Sequence, residues 1–441
     1  MGKYFGTDGI RRKADDFSTE FIQSVAKGLA INDNIKVLIG GDTRESSEWI
    51  LRDFECSFET LGIEYGNVGI LPTPAINEVF YEMGFDYAID ITASHNPATY
   101  NGIKIFERGE NSGIKLSLEM QEKIEKAIDE GANYELMSTE IREDLHEDAL
   151  GRYLDSLERY LGIVDFSGLR IGLDCANGAT SVVGGSLFEK FGAEVILIND
   201  NDEYGDEINH NCGSTHPEEL QELVVQEGLD FGAAFDGDGD RCILVDRDGK
   251  IVDGDQMMTI LIEYLGLGSA VTTVMANQGL LEWAKVNNVE IVTTKVGDQY
   301  VSAEMREKDI KLGGEQSGHI ILPGKAMGDG MLTALMIAKI ISETGRDLTV
   351  LASEMQRFPQ VLLNMPANEA EKALLSSDDK IKELISKYDK ILAKMGGRML
   401  VRPSGTENLV RVTMWGRDEK QITDLAEKLI DELKEVMENR K

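Results

Sequence analysis

Cysteine is scarce and scattered in this sequence of 441 residues: Cys56, Cys175, Cys212 and Cys242 form no C-x-x-C pair. That spacing indicates neither a disulfide framework nor a zinc site, and the four thiols read as reduced. Long apolar runs are also missing. The longest, such as Met331 to Ala338, fall far short of the ~20 residues that span a bilayer. The opening stretch MGKYFGTDGIRRK has no apolar segment for a secretory signal, and Gly6 stands where a myristoylation motif needs Ser or Thr, so a cytoplasmic protein is expected. Positive charge is deficient, with 45 Lys and Arg against 79 Asp and Glu, a net charge of −34. Such a field repels nucleic acid and anionic membranes, so neither is expected as a partner. A small anionic substrate is still admissible, provided that a local cluster of Arg and Lys receives it. There is no low-complexity tract and no repeat of solenoid period.

What is present is ordinary for a globular protein, with 42% hydrophobic and 28% charged residues. The length predicts about three domains at ~150 residues each. Strand-length apolar runs alternate with amphipathic helical segments through roughly the first 350 residues, which predicts α/β layering. Strands are predicted at Lys36 to Ile39, Tyr87 to Ile91, Arg170 to Leu173, Glu194 to Ile198, Phe231 to Phe235, Val271 to Met275 and Ile291 to Thr294. Helices are predicted at Glu45 to Leu61, Ser181 to Phe191, Glu218 to Glu227 and Met331 to Ser342. Each third ends one strand in a polar, glycine-bearing or proline-bearing loop: ITASHNP, AAFDGDGDR and KLGGEQSGH. Boundaries fall near the charged stretch from Ile141 to Tyr160, near VDGDQ and near RFPQV, giving segments 1–150, 151–253, 254–358 and 359–441. The last reads as a smaller α+β domain of strand, helix, strand and helix, with RPSGTENLVRV between elements.

Four stretches carry chemistry. Ser94 follows the predicted strand Tyr87 to Ile91 and precedes the turn signal Asn96-Pro97, on an exposed loop at the C-terminal edge of a sheet, where α/β proteins bind ligands. A plain polar turn is the alternative. In FDGDGDRCILVDRDG, Asp236, Asp238 and Asp240 alternate with glycines and can fold around one hard cation. An EF-hand fails there, because Arg241 and Arg247 occupy the positions that need Gly and Glu. Mg²⁺ suits the set, and a solvated acidic turn is the alternative. GGEQSGHIILPG offers Glu315 and Ser317 as partners for sugar hydroxyls and His319 as a titratable group. RPSGTENLVRV brings Arg402, Ser404, Gly405, Thr406 and Arg411 together as a phosphate pocket, the cationic cluster that the net charge calls for. In YFGTDGIRR, Arg11 follows a tight turn.

These stretches, with GTDGIR (6 to 11), GGDTR (40 to 44), TASHNP and NGIK (92 to 97, 101 to 104), DCANGA (174 to 179), CGSTHPE (212 to 218), DGDGDR (236 to 241), KVGD (295 to 298), GEQSGH (314 to 319), GDG (328 to 330) and SGTE with LVRV (404 to 407, 409 to 412), resemble the α-D-phosphohexomutase superfamily over nearly the whole chain. The resemblance implies a four-domain α/β enzyme, three similar α/β/α domains plus a smaller C-terminal α+β domain around a central cleft. It implies an isomerase in which Ser94 carries a phosphoryl group while Asp236, Asp238, Asp240 and Ser94 hold one Mg²⁺ per subunit. Lys104 and His319 become candidates for acid/base work, and Arg11 and Arg241 for stabilising the transferring group. Glu315 and Ser317 would grip the sugar. Arg402, Ser404, Gly405, Thr406 and Arg411 would hold the phosphate that is not reacting. Gln316 and CGSTHPE resemble the bacterial members acting on glucosamine phosphate. The implied reaction is therefore the interconversion of glucosamine 6-phosphate and glucosamine 1-phosphate through a sugar 1,6-bisphosphate intermediate, for amino-sugar nucleotide and cell-wall precursor synthesis. Glucose and mannose phosphates are the nearest alternative substrates.

Four positions depart from the family pattern: Arg12 for glycine, Tyr100 for aspartate, Gln299 for arginine and Asn408 for proline. None removes a catalytic group, though Arg12 and Gln299 adjoin cleft motifs. Two readings compete from other classes. A metal-dependent sugar phosphatase would need an aspartate nucleophile instead of Ser94, and a non-catalytic sugar-phosphate binder has no use for Ser94, Lys104 or His319. The sequence leaves monomer and homodimer equally open.

Overall fold

The computed structural model describes residues 2–30, 34–109, 112–137, 145–404 and 408–438. Four sheets follow one another along the chain. In the first the strand order is Ile10–Lys13, Tyr100–Arg108, Tyr87–Ile91, Lys36–Gly41, Glu64–Ile70, with Gly113–Lys115 pairing on Tyr100–Arg108 as well. Lys36–Gly41 runs parallel to both neighbours, whereas Tyr87–Ile91 meets Tyr100–Arg108 antiparallel. The second sheet orders Ile251–Val252, Cys242–Asp246, Phe231–Phe235, Arg170–Asp174, Glu194–Ile198, and the third orders Glu290–Thr294, Ser269–Thr273, Gly313–Gly314, Ile320–Ile321. The last is an antiparallel trio, Gln360–Pro366, Leu409–Trp415, Arg398–Pro403.

Most of the predicted strands and helices appear within two residues at every boundary, and Lys36–Gly41 runs on through two glycines. Val271 to Met275 is shifted, the strand being Ser269–Thr273. The predicted helix Ser181 to Phe191 is not continuous. A 3₁₀ turn, Ala179–Val182, gives way at Gly184, with φ +49°, to a short helix Ser186–Lys190. A left-handed residue cannot continue a right-handed helix. The C-terminal order also differs from expectation. Two helices in succession, Glu369–Ser377 and Asp379–Lys394, separate the first strand from the second, because Asp378 ends one helix and its side chain accepts from Lys380 and Ile381 N–H to start the next. RPSGTENLVRV runs from the second strand to an antiparallel partner.

One large apolar core runs through the first three sheets. The helix His146–Leu161 ties it together by burying Ala149, Tyr153 and Leu157 completely. Their spacing of four puts them on one face, and burying a leucine side chain there is worth roughly 1.5 to 3 kcal/mol. The C-terminal unit has its own core around Val410, Val412, Met414 and Leu429. It is fastened to the third unit by Arg398, which lies 3.7 Å over the Trp415 ring and donates to Val274 O, at 3.2 Å, and to Ala276 O. No helix among the described residues is long and apolar enough to cross a membrane.

Candidate active site

The strand Tyr87–Ile91, buried along its whole length, delivers the chain to Ser94. Contrary to the exposed loop expected, Ser94 is 1% exposed and adopts φ +53°. Left-handed backbone costs a non-glycine residue of order 1 kcal/mol or more, so something must hold it. Arg44, fully buried, does so with all five of its N–H bonds. Nε donates to Asp42 Oδ2 at 2.9 Å, Nη1 to Pro97 O and Tyr100 O, and Nη2 to Ser94 O and Asn96 O, both at 2.8 Å. The Ser94 hydroxyl donates to Asp236 Oδ2 at 2.8 Å, bringing the first and second units together at this atom. His95 Nδ1 lies 3.3 Å from the same hydroxyl and 3.0 Å from Arg241 Nη1. Burial, Arg241 and Arg11 push the His95 pKa down to about 3, leaving a neutral ring.

Asp236, Asp238 and Asp240 are buried and each offers an oxygen within 4.8 Å of the others. Burial, then Asp238 and Asp240, hold the Asp236 pKa well above the usual carboxylate range. Lys104 supplies the compensating cation, its Nζ 2.6 Å from Asp238 Oδ2, 3.3 Å from Asp240 Oδ2 and 3.1 Å from Asp8 Oδ2. Burial disfavours that ammonium, but Asp238, Asp8 and Asp240 outweigh it and raise its pKa well above the ordinary value. Thr73 Oγ1 reaches Asp238 Oδ2 at 2.8 Å and Asp90 on its other side. Asp238 Oδ1 and Asp240 Oδ1 are buried without a hydrogen-bond partner. Two orphaned carboxylate oxygens in an all-oxygen set fit a hard divalent cation such as Mg²⁺.

Around this centre the other expected residues take definite places. Arg11 donates to Asn96 Oδ1 at 3.3 Å and pairs with Asp8 at 3.4 Å. Asp8 also pairs with Lys115 at 2.8 Å, and Lys115 with Asp298 at 2.6 Å, so an ion-pair chain runs from KVGD to the carboxylate triad. Arg241 sits 3.9 Å from Asp236 and 3.7 Å from Asp240. His319 Nδ1 faces Asp240 Oδ1 at 3.6 Å, while Gly328 N–H donates to Nε2 at 3.0 Å. Burial opposes a charge on this ring and Asp240 raises its pKa to about 9. The directed bond to Nε2 is the stronger constraint, because a second proton there would set two N–H donors head to head, so the ring is the neutral Nδ1–H tautomer. Glu315 Oε1 accepts from Gly297 N–H at 3.2 Å, and Ser317 is exposed. Gln316 donates to Asp253 Oδ2 at 3.2 Å.

In the C-terminal unit Arg402 and Arg411 are partners on adjacent strands, and the buried Ser404 follows the first. Gly405 and Thr406 lie outside the described residues. Of the unusual positions, Arg12 packs 4.0 Å over the Phe21 ring and Asn408 O accepts from Ala367 N–H at 2.9 Å. Tyr100 lends its carbonyl to Arg44. Gln299 lines a cavity of about 100 Å³ with Lys115, Asp298, Ser302 and His319.

Sequence reasoning named neither Asp8, Arg44 and His95, which stand inside the quoted motifs, nor Thr73, Lys115 and Asn209, which stand outside them. For the first three the signal was a charged or imidazole side chain within a glycine- or proline-marked turn. The others become visible only where two units meet.

Comparison with known proteins agrees with this architecture. Four segments match the phosphoglucomutase/phosphomannomutase family: alpha/beta/alpha domain I over residues 2–135, domain II over 151–249, domain III over 253–358 and the C-terminal domain over 362–432. The phosphoglucosamine mutase of Clostridium novyi (strain NT) is 41% identical over 453 residues, covering 99% of both chains. That of Caldicellulosiruptor bescii is 41% identical over 449 residues, covering 97% of this chain and 98% of the other. Among solved structures, a putative phosphomannomutase from Thermus thermophilus superposes with TM-score 0.76 at 21% identity, covering 97% of this chain and 98% of that one. Aspergillus fumigatus N-acetylphosphoglucosamine mutase, in complex with GlcNAc-6P and magnesium, gives 0.66 at 18% over 97% and 95%. The matched segments lie in the same order as the four sheets, and the chain belongs to the phosphoglucomutase/phosphomannomutase family of α-D-phosphohexomutases.

Proposed function

We propose that this protein is an isomerase that interconverts glucosamine 6-phosphate and glucosamine 1-phosphate, with Ser94 as the phosphoryl carrier. The observation that carries the reading is the Ser94 hydroxyl donating at 2.8 Å to a buried carboxylate whose two neighbours hold orphaned oxygens. The choice of glucosamine rests on the relatives of about 40% identity named phosphoglucosamine mutase.

Asp236, Asp238 and Asp240, with the Ser94 oxygen, would hold one Mg²⁺, which when bound neutralises charge on the transferring phosphoryl group and fixes its orientation. When Ser94 takes up a phosphoryl group from the bisphosphate, Oγ bonds to phosphorus as the P–O bond to the sugar breaks; the Oγ proton passes to Asp236 Oδ2, the acceptor within reach, and the departing sugar oxygen ends as a hydroxyl. When Ser94 hands the group on, the sugar hydroxyl gives up its proton as its oxygen bonds to phosphorus, the P–Oγ bond breaks and Oγ takes up a proton from Asp236 Oδ2, so that overall one proton passes from the sugar oxygen to the serine. Lys104, kept as an ammonium, supplies positive charge and N–H donors beside the transferring group. His319, whose Nδ1 faces Asp240 at 3.6 Å, is taken as an acid/base group. Arg11 and Arg241 bracket the serine loop, and Glu315 and Ser317 are taken as the sugar contacts. Arg402, Ser404, Gly405, Thr406 and Arg411 are taken as the pocket for the second phosphate. A sugar 1,6-bisphosphate is the intermediate, and it turns around between half-reactions so that one serine serves both ends. In this reading the units are 1–150, 151–253, 254–358 and 359–441, and the enzyme works in the cytoplasm on a soluble sugar phosphate, as monomer or homodimer.

The test is a coupled assay with glucosamine, glucose and mannose phosphates on the wild type and on Ser94→Ala. Glucosamine phosphate is expected to give the highest kcat/KM, and Ser94→Ala to lower turnover by several orders of magnitude with its circular dichroism unchanged. Near-normal turnover of the variant would remove Ser94 from the mechanism, and release of free phosphate would make the protein a phosphatase.

A further inference from the structure

The carbonyls of Ser94 and Asn96 are each held twice. Arg44 Nη2 reaches both from within the first unit, at 2.8 Å. Asn209 Nδ2 reaches the same two oxygens from the second unit, at 2.9 and 3.2 Å. Carbonyl oxygens only accept, so the amide of Asn209 must face them with its NH₂ group. Asn209 is nearly buried, at 9% exposure, and itself adopts φ +57°, while its backbone N–H is spent on Ala176 O at 2.9 Å. Gly237, between two of the triad aspartates, packs so closely here that an added Cβ would lie 2.7 Å from Asn209 Nδ2 and 2.8 Å from Ser94 O. The amide therefore stands where the serine loop and the metal loop touch.

This placement has a mechanical effect. Arg44 fixes the serine loop relative to its own sheet, but it cannot fix that sheet relative to Asp236, which belongs to the neighbouring unit. Asn209 can, because its own segment is bonded to the second sheet through Ala176. Along the same seam Glu45 N–H donates to Gly205 O at 2.9 Å and Gly205 N–H to Thr43 O at 2.8 Å. These bonds keep the two segments alongside each other without touching Ser94.

We propose that Asn209 is a positioning residue for phosphoryl transfer: it locks the backbone of Ser94 to the second unit and so sets the serine oxygen in register with the Asp236 loop. The proposal rests on Ser94 as phosphoryl carrier. It predicts that losing the amide spares the fold and the binding of sugar phosphate while slowing transfer.

The experiment uses the full chain with Asn209→Gly, which tolerates the left-handed backbone and removes the donor, and Asn209→Asp, which keeps the shape and turns an acceptor toward two carbonyls. Steady-state kcat and KM, thermal midpoint and single-turnover phosphoryl uptake from glucose 1,6-bisphosphate, read by intact-protein mass, are compared with wild type. Expected for Asn209→Gly is a kcat and uptake rate lowered about ten- to a hundredfold, the scale of a misplacement near 1 Å, with KM within about twofold. Asn209→Asp should lose at least as much. The melting midpoint of Asn209→Gly should stay within a few degrees. Rates within about twofold of wild type, a change confined to KM, or a loss no greater than the unfolded fraction would each overturn the proposal. Wild-type protein that takes up no phosphoryl group would instead overturn the Ser94 reading, so the two failures are distinct.

Discussion

Arg402 and Arg411 are direct register partners on adjacent antiparallel strands, so two guanidinium groups rise from one face of the C-terminal sheet. Opposed like charges destabilise a sheet. Burial and Arg411 together lower the Arg402 pKa, which records that cost. An anion placed between them would reverse the sign. Arg402→Ala is therefore expected to raise KM for the sugar phosphate about ten- to a hundredfold, the equivalent of a charge-assisted contact worth roughly 1.5 to 3 kcal/mol. Added glucosamine 1,6-bisphosphate should restore part of the rate by replacing intermediate lost to solution. An unchanged KM with no response to bisphosphate would reduce the pair to a structural hairpin.

The carboxylate triad makes a stability statement as well as a catalytic one. A cation bound only by the folded state stabilises it by mass action, about 2.7 kcal/mol at a hundredfold excess over Kd. Mg²⁺ should thus raise the melting midpoint by several degrees, chelator should abolish turnover, and Asp238→Asn should lose both effects. A midpoint indifferent to Mg²⁺, or full activity in chelator, would count against a metal at Asp236, Asp238 and Asp240.

Asp329 offers a pH test away from the triad. Burial raises its carboxyl pKa to about 6, against the opposing effect of Lys325, while Tyr153 donates to it at 3.0 Å and Leu332 N–H at 2.8 Å. The folded state then binds more protons than the unfolded state between about pH 4 and 6, so this group's contribution to stability falls as pH rises through that window. Asp329→Asn keeps the acceptor for Leu332 and does not titrate. The stability of wild type relative to this variant, from urea unfolding, should therefore drop by about 1 kcal/mol between pH 5 and 7.5, near the 1.36 kcal/mol that one pKa unit represents. A constant difference would place the Asp329 pKa in its ordinary range.

The strands that were easiest to read, Tyr87–Ile91 and Phe231–Phe235, are short runs buried on both faces and followed by loop signals. Ser94 and the aspartates were legible for a related reason, because a glycine-rich or proline-marked loop after a buried strand advertises itself. The burial of Ser94 was not, since it comes from Asn209 and Asp236 in another unit, more than a hundred residues away. The order of the C-terminal elements was missed because one aspartate, Asp378, both ends and starts a helix, and no periodicity changes there. Lys104 was legible as a lysine near the site but not as a permanent ammonium, which depends on carboxylates from two different units.

The backbone of the GEQSGH loop lies against the second sheet at Cys242 and against the start of the helix Gly254–Leu265. Cys242 N–H donates to Gly318 O and Gly254 N–H to Gln316 O, both at 3.1 Å, and a methyl group on Gly318 or Gly254 would run into the carbonyl of Cys242 or Glu315. The loop that would recognise the sugar and the strand that leaves the carboxylate triad therefore share one seam with no side chains between them. For recombination among relatives this makes them a single inherited block. Chimeras that cross over between residues 242 and 318 bring together two backbones never fitted to each other, whereas crossovers beyond the helix Gly330–Thr344 leave the seam intact. New sugar preferences should therefore be easier to graft by moving GEQSGH together with the strand Cys242–Asp246 than by transplanting the loop alone.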